Sequence, residues 1–307
     1  MRIVFMGTAE FAVPSLKRLV EEGFNIVGVV TAPDKPSGRG LKINKSHVKV
    51  AAEELGLNIL QPEKLKSEAF VSDLKALSAD LQIVVAFRML PEVVWSMPKE
   101  GTFNLHSSLL PQYRGAAPIN WAIINGDKES GVTTFFLKHE IDTGNIIFQD
   151  KTAIDPEENV GSLYARLMHM GGELTIKTVK AIIDGTAQPY VQDEFEDLRH
   201  APKIFKEDCK IDWTKSLDEV HNFTRGLSPY PVAWTELEGK NLRVFKAHRE
   251  AANHQKENGT LVLENKELKV AVNGGYFVLD EIQIQGKKRM KTTDFLNGFQ
   301  LKEGTIL

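Results

Sequence analysis

Residues 1–31, MRIVFMGTAEFAVPSLKRLVEEGFNIVGVVT, hold a strand, a helix and a second strand in one run. Arg2 to Met6 reads as a buried strand, and Phe11, Leu16, Leu19 and Val20 form an apolar stripe at helical spacing that Gly23 stops. Asn25 to Thr31 is the second strand. Near-continuous apolar strands separated by a helix are the unit of a parallel sheet buried on both faces.

Outward from this unit the alternation continues. Val48 to Leu55 predicts a helix, Asn58 to Leu60 a short strand, Phe70 to Leu77 a helix and Leu81 to Phe87 a strong strand. Thr102 to Leu105, Val132 to Leu137 and Ile146 to Phe148 are further strands, and Leu163 to Ile183 is a long helix closed by Gly185. The expectation over residues 1–188 is therefore an α/β domain, a Rossmann-like, mainly parallel sheet with helices on both faces.

The pattern then changes. Gln188 to His200 carries Asp193, Glu194, Glu196 and Asp197 with few core residues, and residues 189–206 are read as an exposed linker. Beyond a helix at Leu217 to Leu227, short strands recur at Ala233 to Leu237, Leu242 to Ala247, Gly259 to Leu263, Leu268 to Val272 and Tyr276 to Ile284, with a turn at Asn273-Gly274-Gly275. Such spacing predicts a small C-terminal β-barrel, OB-like, over residues 207–307.

The chain has 307 residues, 42% hydrophobic and 26% charged, which excludes disorder and collagen-like repeats. Its single cysteine, Cys209, can form neither an internal disulfide nor a cysteine-rich metal site, so a reducing cytoplasm is expected. No signal-peptide pattern opens the sequence, and no apolar run is long enough for a bilayer. The net charge of −3 neither demands nor excludes a polyanion: the last 107 residues carry 17 basic against 15 acidic side chains, the first 200 carry 21 against 26.

Several chemistries lack their motifs. Gly7-Thr8-Ala9-Glu10-Phe11-Ala12 misses two glycines of the dinucleotide fingerprint, and no phosphate-binding Gly-x-x-x-x-Gly-Lys run occurs. The eight histidines show no metal-ligand spacing, so no metal is expected. No Gly-x-Ser-x-Gly elbow is present.

What remains is Asn104-Leu105-His106-Ser107-Ser108-Leu109-Leu110-Pro111-Gln112-Tyr113-Arg114-Gly115, beginning at a strand end. In an extended chain Asn104 and His106 project to one face, and at the carboxyl end of a parallel strand they stand where α/β sheets collect ligands. Alone, such a pair is more often a turn or a satisfied hydrogen-bonding group. Asp142, in Glu140-Ile141-Asp142-Thr143-Gly144, adds a carboxylate. Asn, His and Asp without a nucleophile suit acyl transfer to an amine, which needs only proton transfer and donors for the oxyanion.

The same run, continued by Ala116-Ala117-Pro118-Ile119-Asn120-Trp121 to Gly126, with Gly131-Val132-Thr133 and Asp142-Thr143-Gly144, resembles the 10-formyltetrahydrofolate-dependent formyltransferases. The likeness spans the chain: Phe5-Met6-Gly7-Thr8 and Phe11-Ala12-Val13-Pro14 at the start, Lys206-Glu207-Asp208 and Ile211-Asp212-Trp213 after the linker, Gly286-Lys287-Lys288 and Met290 near the end. The resemblance implies a catalytic trio of Asn104, His106 and Asp142. It implies that Asn104 and protonated His106 polarise the formyl oxygen, while Asp142 fixes the protonation of the ring and helps move the proton of the amine. Folate contacts are implied at Ser108, Leu109, Leu110 and Pro111, with Met89 and Leu90 on the pocket wall. The donor is then 10-formyltetrahydrofolate, a reduced folate bound as substrate, with no tightly bound cofactor. One departure is Arg88, where the family commonly has glycine. Tyr113 and Arg114 are read as site-wall residues, and Trp121, Phe135 and Phe136 as core.

The acceptor is the remaining question. Residues 31–49 hold Lys35, Arg39, Lys42, Lys45 and Lys49 against one acid, Asp34. Such a run is ordinarily a solvated loop, expected to be mobile, but positive charge beside a cleft suits phosphate neutralisation. In the resembling family this insertion enters the tRNA acceptor region. Lys287 and Lys288, in a cluster with Arg289 and Lys291, are further tRNA-binding candidates, and Arg243, Lys246 and Arg249 form a second basic cluster. The reading is thus a monomeric, cytoplasmic enzyme that formylates the amino group of methionine on initiator tRNA, without a membrane. A sugar-nucleotide formyltransferase and an inactive tRNA-binding module are the alternatives.

Overall fold

The computed structural model describes residues 1–37, 42–193, 197–300, 302 and 304–307. In chain order the elements are β1 (Arg2–Gly7), α1 (Val13–Glu21), β2 (Asn25–Val30), β3 (Lys35–Ser37), β4 (Lys42–Asn44), α2 (His47–Glu54), β5 (Ile59–Leu60), α3 (Glu68–Ala76), β6 (Leu81–Val85), α4 (Glu92–Trp95), β7 (Thr102–His106) and β8 (Arg114–Gly115). Then come α5 (Pro118–Ile124), β9 (Glu129–Phe136), β10 (Ile146–Ala153), α6 (Val160–Ile183), β11 (His200–Ala201), α7 (Leu217–Leu227), β12 (Ala233–Leu237), β13 (Lys240–Ala251), β14 (Leu261–Glu264), β15 (Glu267–Val272), β16 (Gly275–Ile284), β17 (Met290–Lys291) and α8 (Thr292–Leu296). They form two compact units: residues 1–115, 131–152 and 164–200, and residues 116–130, 153–163 and 201–307.

The first unit is built on a seven-stranded sheet ordered β10-β9-β7-β6-β1-β2-β5. β5, β2, β1, β6 and β7 run parallel, and β9 returns antiparallel to β7. Ile3, Val4, Phe5 and Met6 of β1 are all fully buried, so consecutive side chains are covered on both faces. Val4 and Met6 pack with Phe70 and Leu74 of α3 and Val94 of α4. On the other face Thr178 of α6 bonds Thr134 of β9, and Gly171 lies against Leu105 of β7. At about 1.5–3 kcal/mol for each buried large apolar side chain, these strands are a main source of the unit's stability.

Capping residues fix where the helices start. Ser46 and Ser67 accept hydrogen bonds from Lys49 N–H and Phe70 N–H at the first turns of α2 and α3. Pro14 sits in the first turn of α1, and the chain after it turns through Gly23 at φ +78°. Helices α4, α5 and α8 have four to seven residues and no sequence expectation, because so short a segment cannot display a helical period.

The second unit has a six-stranded antiparallel sheet, with path β12-β13-β16-β15-β14 and β17 beside β16. One core holds Trp213, Val220, Leu242, Val244, Val270 and Phe277. α7 opens with a reciprocal cap: Ser216 Oγ accepts from Glu219 N–H, and the Glu219 carboxylate accepts from Ser216 N–H. That hydrogen bonding holds the Glu219 carboxyl below its ordinary range.

Two polar segments bear on the sequence expectation. The basic stretch is not wholly loop, since β3 and β4 pair antiparallel with Lys35 opposite Asn44. Its base is tied down by Lys49, which donates to Asp34 and to Gln61, while Gln61 donates to the Ala32 carbonyl. The Lys49 and Gln61 bonds hold the Asp34 carboxyl below its ordinary range. The polar stretch after α6 is largely exposed, as expected, but is anchored at two points. Tyr190 exchanges two main-chain hydrogen bonds with Ile146, and Gln192 is 5% exposed.

Candidate active site

Asn104 and His106 lie on β7 opposite Phe135 and Thr133 of β9, and Asn104 is in register with Val84 of β6. Val84 belongs to the core cluster of Leu65, Leu90 and Val94, so both polar side chains emerge on the face covered by α3 and α4. They stand at the carboxyl end of a parallel strand, as expected for a ligand site in an open α/β sheet.

His106 is 7% exposed, and its Nε2 lies 2.9 Å from the Tyr113 carbonyl oxygen. A carbonyl only accepts, so Nε2 carries a hydrogen. Nδ1 then faces Asp142, whose Oδ2 is 3.9 Å away: too long for a direct hydrogen bond, close enough for charge interaction. The same oxygen accepts Gly115 N–H at 3.0 Å. Nδ1 is therefore the nitrogen left to act on a ligand. The ring's direct hydrogen bond is thus to a backbone carbonyl, with Asp142 standing off its other nitrogen.

Asn104 Oδ1 is buried without a hydrogen-bond partner. A buried orphan of this kind costs roughly 1–3 kcal/mol and calls for an explanation, of which a catalytic role is one and a bound water another. Asp142 sits in the left-handed region at φ +56°, which a short polar side chain tolerates. Two residues on, a Cβ on Gly144 would lie 1.5 Å from the Phe136 carbonyl oxygen, so only glycine lets the turn pass that strand end.

The segment after His106 is held from beneath. Thr133 Oγ1 donates to the Ser108 carbonyl, and Gln149 donates to the Leu110 carbonyl and to Thr133 Oγ1. Ser108 donates its own hydroxyl to the Gln112 carbonyl and is 1% exposed, and Leu110 is 3% exposed. Leu109 and Pro111 are half-buried. Thus Ser108 and Leu110 shape this loop from within, and the surface it offers comes from its backbone, Leu109 and Pro111.

Met89 is exposed and Leu90 buried, and both line a groove of about 420 Å³ with Lys64, Leu65, Lys66, Arg88 and Pro91. Leu65 and Leu90 belong to the cluster around Val84, so the groove rests on the face that carries Asn104. Arg88 is not in the left-handed region; Ala86 is, at φ +47°. The conformation that glycine favours falls two residues earlier, and Arg88 is accommodated. Its guanidinium donates to the Pro62 and Glu63 carbonyls and lies 5.5 Å from the Phe87 ring centre.

Of the basic residues in the first unit, Lys35 is exposed and Lys45 is paired with Glu53 at 2.7 Å. Arg39 and the side chain of Lys42 lie outside the described residues. In the second unit Lys287 and Lys288 are exposed, as are Arg243 and Lys246, whereas Arg249 is paired with Asp218 and Glu157. Arg289 pairs with Glu281 and stacks on Phe245. Phe135 is core, Phe136 partly so, and Trp121 is half-buried with its indole N–H on the Pro202 carbonyl.

Two polar residues of this region carry no sequence signal, Gln149 within a strand and Gln192 within an acidic stretch, and Thr133 enters the sequence reading only as part of the Gly131-Val132-Thr133 motif. Among the described residues no three His, Cys, Asp or Glu side chains converge as a metal-holding set, and no helix is long and apolar enough to cross a membrane.

Known proteins resemble this chain along its length. The family model described as formyl transferase matches residues 1–179, and that of the formyl transferase C-terminal domain matches residues 203–300. A methionyl-tRNA formyltransferase of Bacteroides thetaiotaomicron is 55% identical over 313 aligned positions, covering 99% of this chain and 97% of the relative. The one from Flavobacterium johnsoniae is 51% identical, covering 99% and 98%. Among solved structures, a sugar 3N-formyl transferase in the presence of dTDP and 5-N-formyl-THF superposes with TM-score 0.66 at 21% identity, covering 94% of this chain and 99% of that one. HypX from Aquifex aeolicus with tetrahydrofolic acid gives TM-score 0.63 at 20% identity, covering 96% of this chain and 47% of its own. These last two speak for the fold. With both family models in place and full-length relatives above half identity, this chain belongs to the formyl transferase family.

Proposed function

We propose that this chain transfers the formyl group of 10-formyltetrahydrofolate to the amino group of methionine carried on initiator tRNA, acting as a cytoplasmic monomer without a tightly bound cofactor. The observation that carries this reading is the 55% identity to a methionyl-tRNA formyltransferase across 99% of the chain, against 21% to a sugar formyltransferase.

The site supplies the groups the reaction needs. The amine attacks the formyl carbon to give a tetrahedral intermediate, which then collapses with cleavage of the bond to the folate N10, and one amine proton ends on N10. Asn104 brings a carboxamide whose Nδ2 can donate to the oxyanion of the tetrahedral intermediate, while its buried Oδ1 has no hydrogen-bond partner of its own. His106 Nδ1 and the Asp142 carboxylate form the adjacent proton-handling pair. Leu65, Met89 and Leu90 give the folate a groove with apolar walls, and Lys64, Lys66 and Arg88 supply cations suited to its carboxylate tail. The loop Ser108 to Pro111 presents its backbone, Leu109 and Pro111 to the same ligand. Lys35, Arg39, Lys42 and Lys45, with Lys287 and Lys288, are the tRNA contacts.

The sugar-nucleotide reading has one observation in its favour, the superposition on a sugar 3N-formyl transferase. Purified protein given 10-formyltetrahydrofolate with either methionyl initiator tRNA or an amino-sugar nucleotide separates the readings. Formyl transfer to the tRNA alone is expected; transfer to the sugar alone would overturn the proposal, and transfer to neither would overturn it in favour of a binding module. The double variant Arg39→Ala with Lys42→Ala should lose tRNA formylation at physiological salt while folate affinity holds.

A further inference from the structure

Gln192 is 5% exposed in a stretch that is otherwise mostly polar and open. Its Nε2 donates to the Asp142 carbonyl at 2.8 Å and to the Gly144 carbonyl at 2.8 Å. Its Oε1 accepts from Arg114 twice, at 3.1 Å from Nε and 2.6 Å from Nη2. A carboxamide has two donors and two acceptor lone pairs, and all four are used. The orientation of the amide is therefore dictated: carbonyls cannot donate and a guanidinium cannot accept.

These bonds close a ring through the candidate centre. Gln192 holds both ends of the turn from Asp142 to Gly144, where Asp142 has a left-handed backbone. Arg114, which orients Gln192, immediately precedes Gly115, whose N–H fixes the Asp142 carboxylate. The same segment is secured next door, where Tyr190 bridges Ile146 through the main chain and its hydroxyl meets Gln149 Oε1. Gln149 in turn supports Leu110 and Thr133.

We propose that Gln192, oriented by Arg114, is a positioning residue that sets the Asp142 carboxylate against His106. Neither residue takes part in bond making; both act through the geometry of Asp142. The inference rests on the reading that Asp142 serves the transfer reaction.

A double-mutant cycle on the full chain tests it, with kcat and KM measured for both substrates and folding followed by thermal melting. Gln192→Ala should lower kcat about 10-fold or more, leaving each KM within about 3-fold, since the loss of an aligning group acts on the transition state. Gln192→Glu, isosteric but unable to donate to two carbonyls, should lose at least as much. In an Asp142→Ala background, Gln192→Ala should have no further effect on kcat. An unchanged kcat in Gln192→Ala, or the same factor lost again in the double variant, would overturn the proposal. If Asp142→Ala itself keeps full activity, the reading of the site fails and the proposal falls with it. Should Gln192→Ala not fold, Arg114→Ala leaves both carbonyl bonds available and is read in the same cycle: an Asp142-dependent loss of kcat supports the proposal and an independent or absent loss refutes it.

Discussion

His106 donates its Nε2–H to the main-chain carbonyl of Tyr113 at 2.9 Å, and this one bond decides which edge of the ring meets Asp142. With Nε2 spent on backbone, the chemistry is left to Nδ1 and to the charge facing it. Asp142→Asn keeps an oxygen able to accept Gly115 N–H but removes that charge. It is expected to lower kcat roughly 100-fold, the scale of a lost acid–base group, with melting temperature nearly unchanged. Steady-state kinetics beside a melting curve check both halves.

Asn104 should show a trade of stability for activity. Its Oδ1 is buried with no protein hydrogen-bond partner, so Asn104→Leu removes an unsatisfied group while filling a similar volume. Formyl transfer should fall about 100-fold or more while stability in urea holds or rises. A variant that is both inactive and clearly less stable would show that the amide is structural.

Gly144→Ala should be far more damaging than an exposed Gly→Ala change. The added Cβ would meet the Phe136 carbonyl oxygen at 1.5 Å, so the Asp142 turn must move. A loss of roughly 1–3 kcal/mol in stability is expected, together with a large fall in kcat. Gly298→Ala, a control with open space around the position and no left-handed backbone, should leave kcat and stability as they are.

His221 predicts an acid-sensitive second unit. It is 3% exposed, and burial, aided by Arg249 and Arg225 against the opposing pull of Glu157, pushes its pKa down to about 4 from an ordinary 6.5. The unfolded chain therefore takes up a proton on this ring at a higher pH than the folded chain does. The stability contributed by the neutral ring is complete above pH 6.5 and is lost progressively as pH falls toward 4, by up to about 3 kcal/mol. Denaturation curves at pH 7 and pH 4.5 should show a smaller drop for His221→Gln than for the parent chain.

Lys35 and Lys45 should contribute unequally to tRNA binding. Lys45 is already opposed by Glu53 at 2.7 Å, whereas Lys35 projects from β3 with its side chain exposed. Lys35→Ala is expected to reduce the slope of log affinity against log salt by up to ~1, and Lys45→Ala by less. Binding titrations at several salt concentrations compare them directly.

The alternation of strand and helix is legible in the sequence because burial on both faces of a parallel strand leaves a local mark, as at Ile3 to Met6, and a helical stripe leaves another, as at Leu16 and Leu19. The shared face of Asn104 and His106 is equally local, since it follows from the two-residue period of an extended chain. Asp142 is found through motif and likeness, yet its meeting with His106 depends on the antiparallel return of β9 and on a turn that only glycine at 144 allows. Gln192 is invisible for a different reason: a carboxamide in an acidic stretch looks solvated until it accepts two hydrogen bonds from Arg114 and donates two to the Asp142 and Gly144 carbonyls. Likewise five basic residues between 31 and 49 read as one charge cluster, while the fold matches Lys49 to Asp34 and Lys45 to Glu53. Periodicity along the chain specifies what each element buries, but pairing between polar side chains depends on which elements become neighbours, and only the tertiary structure decides that.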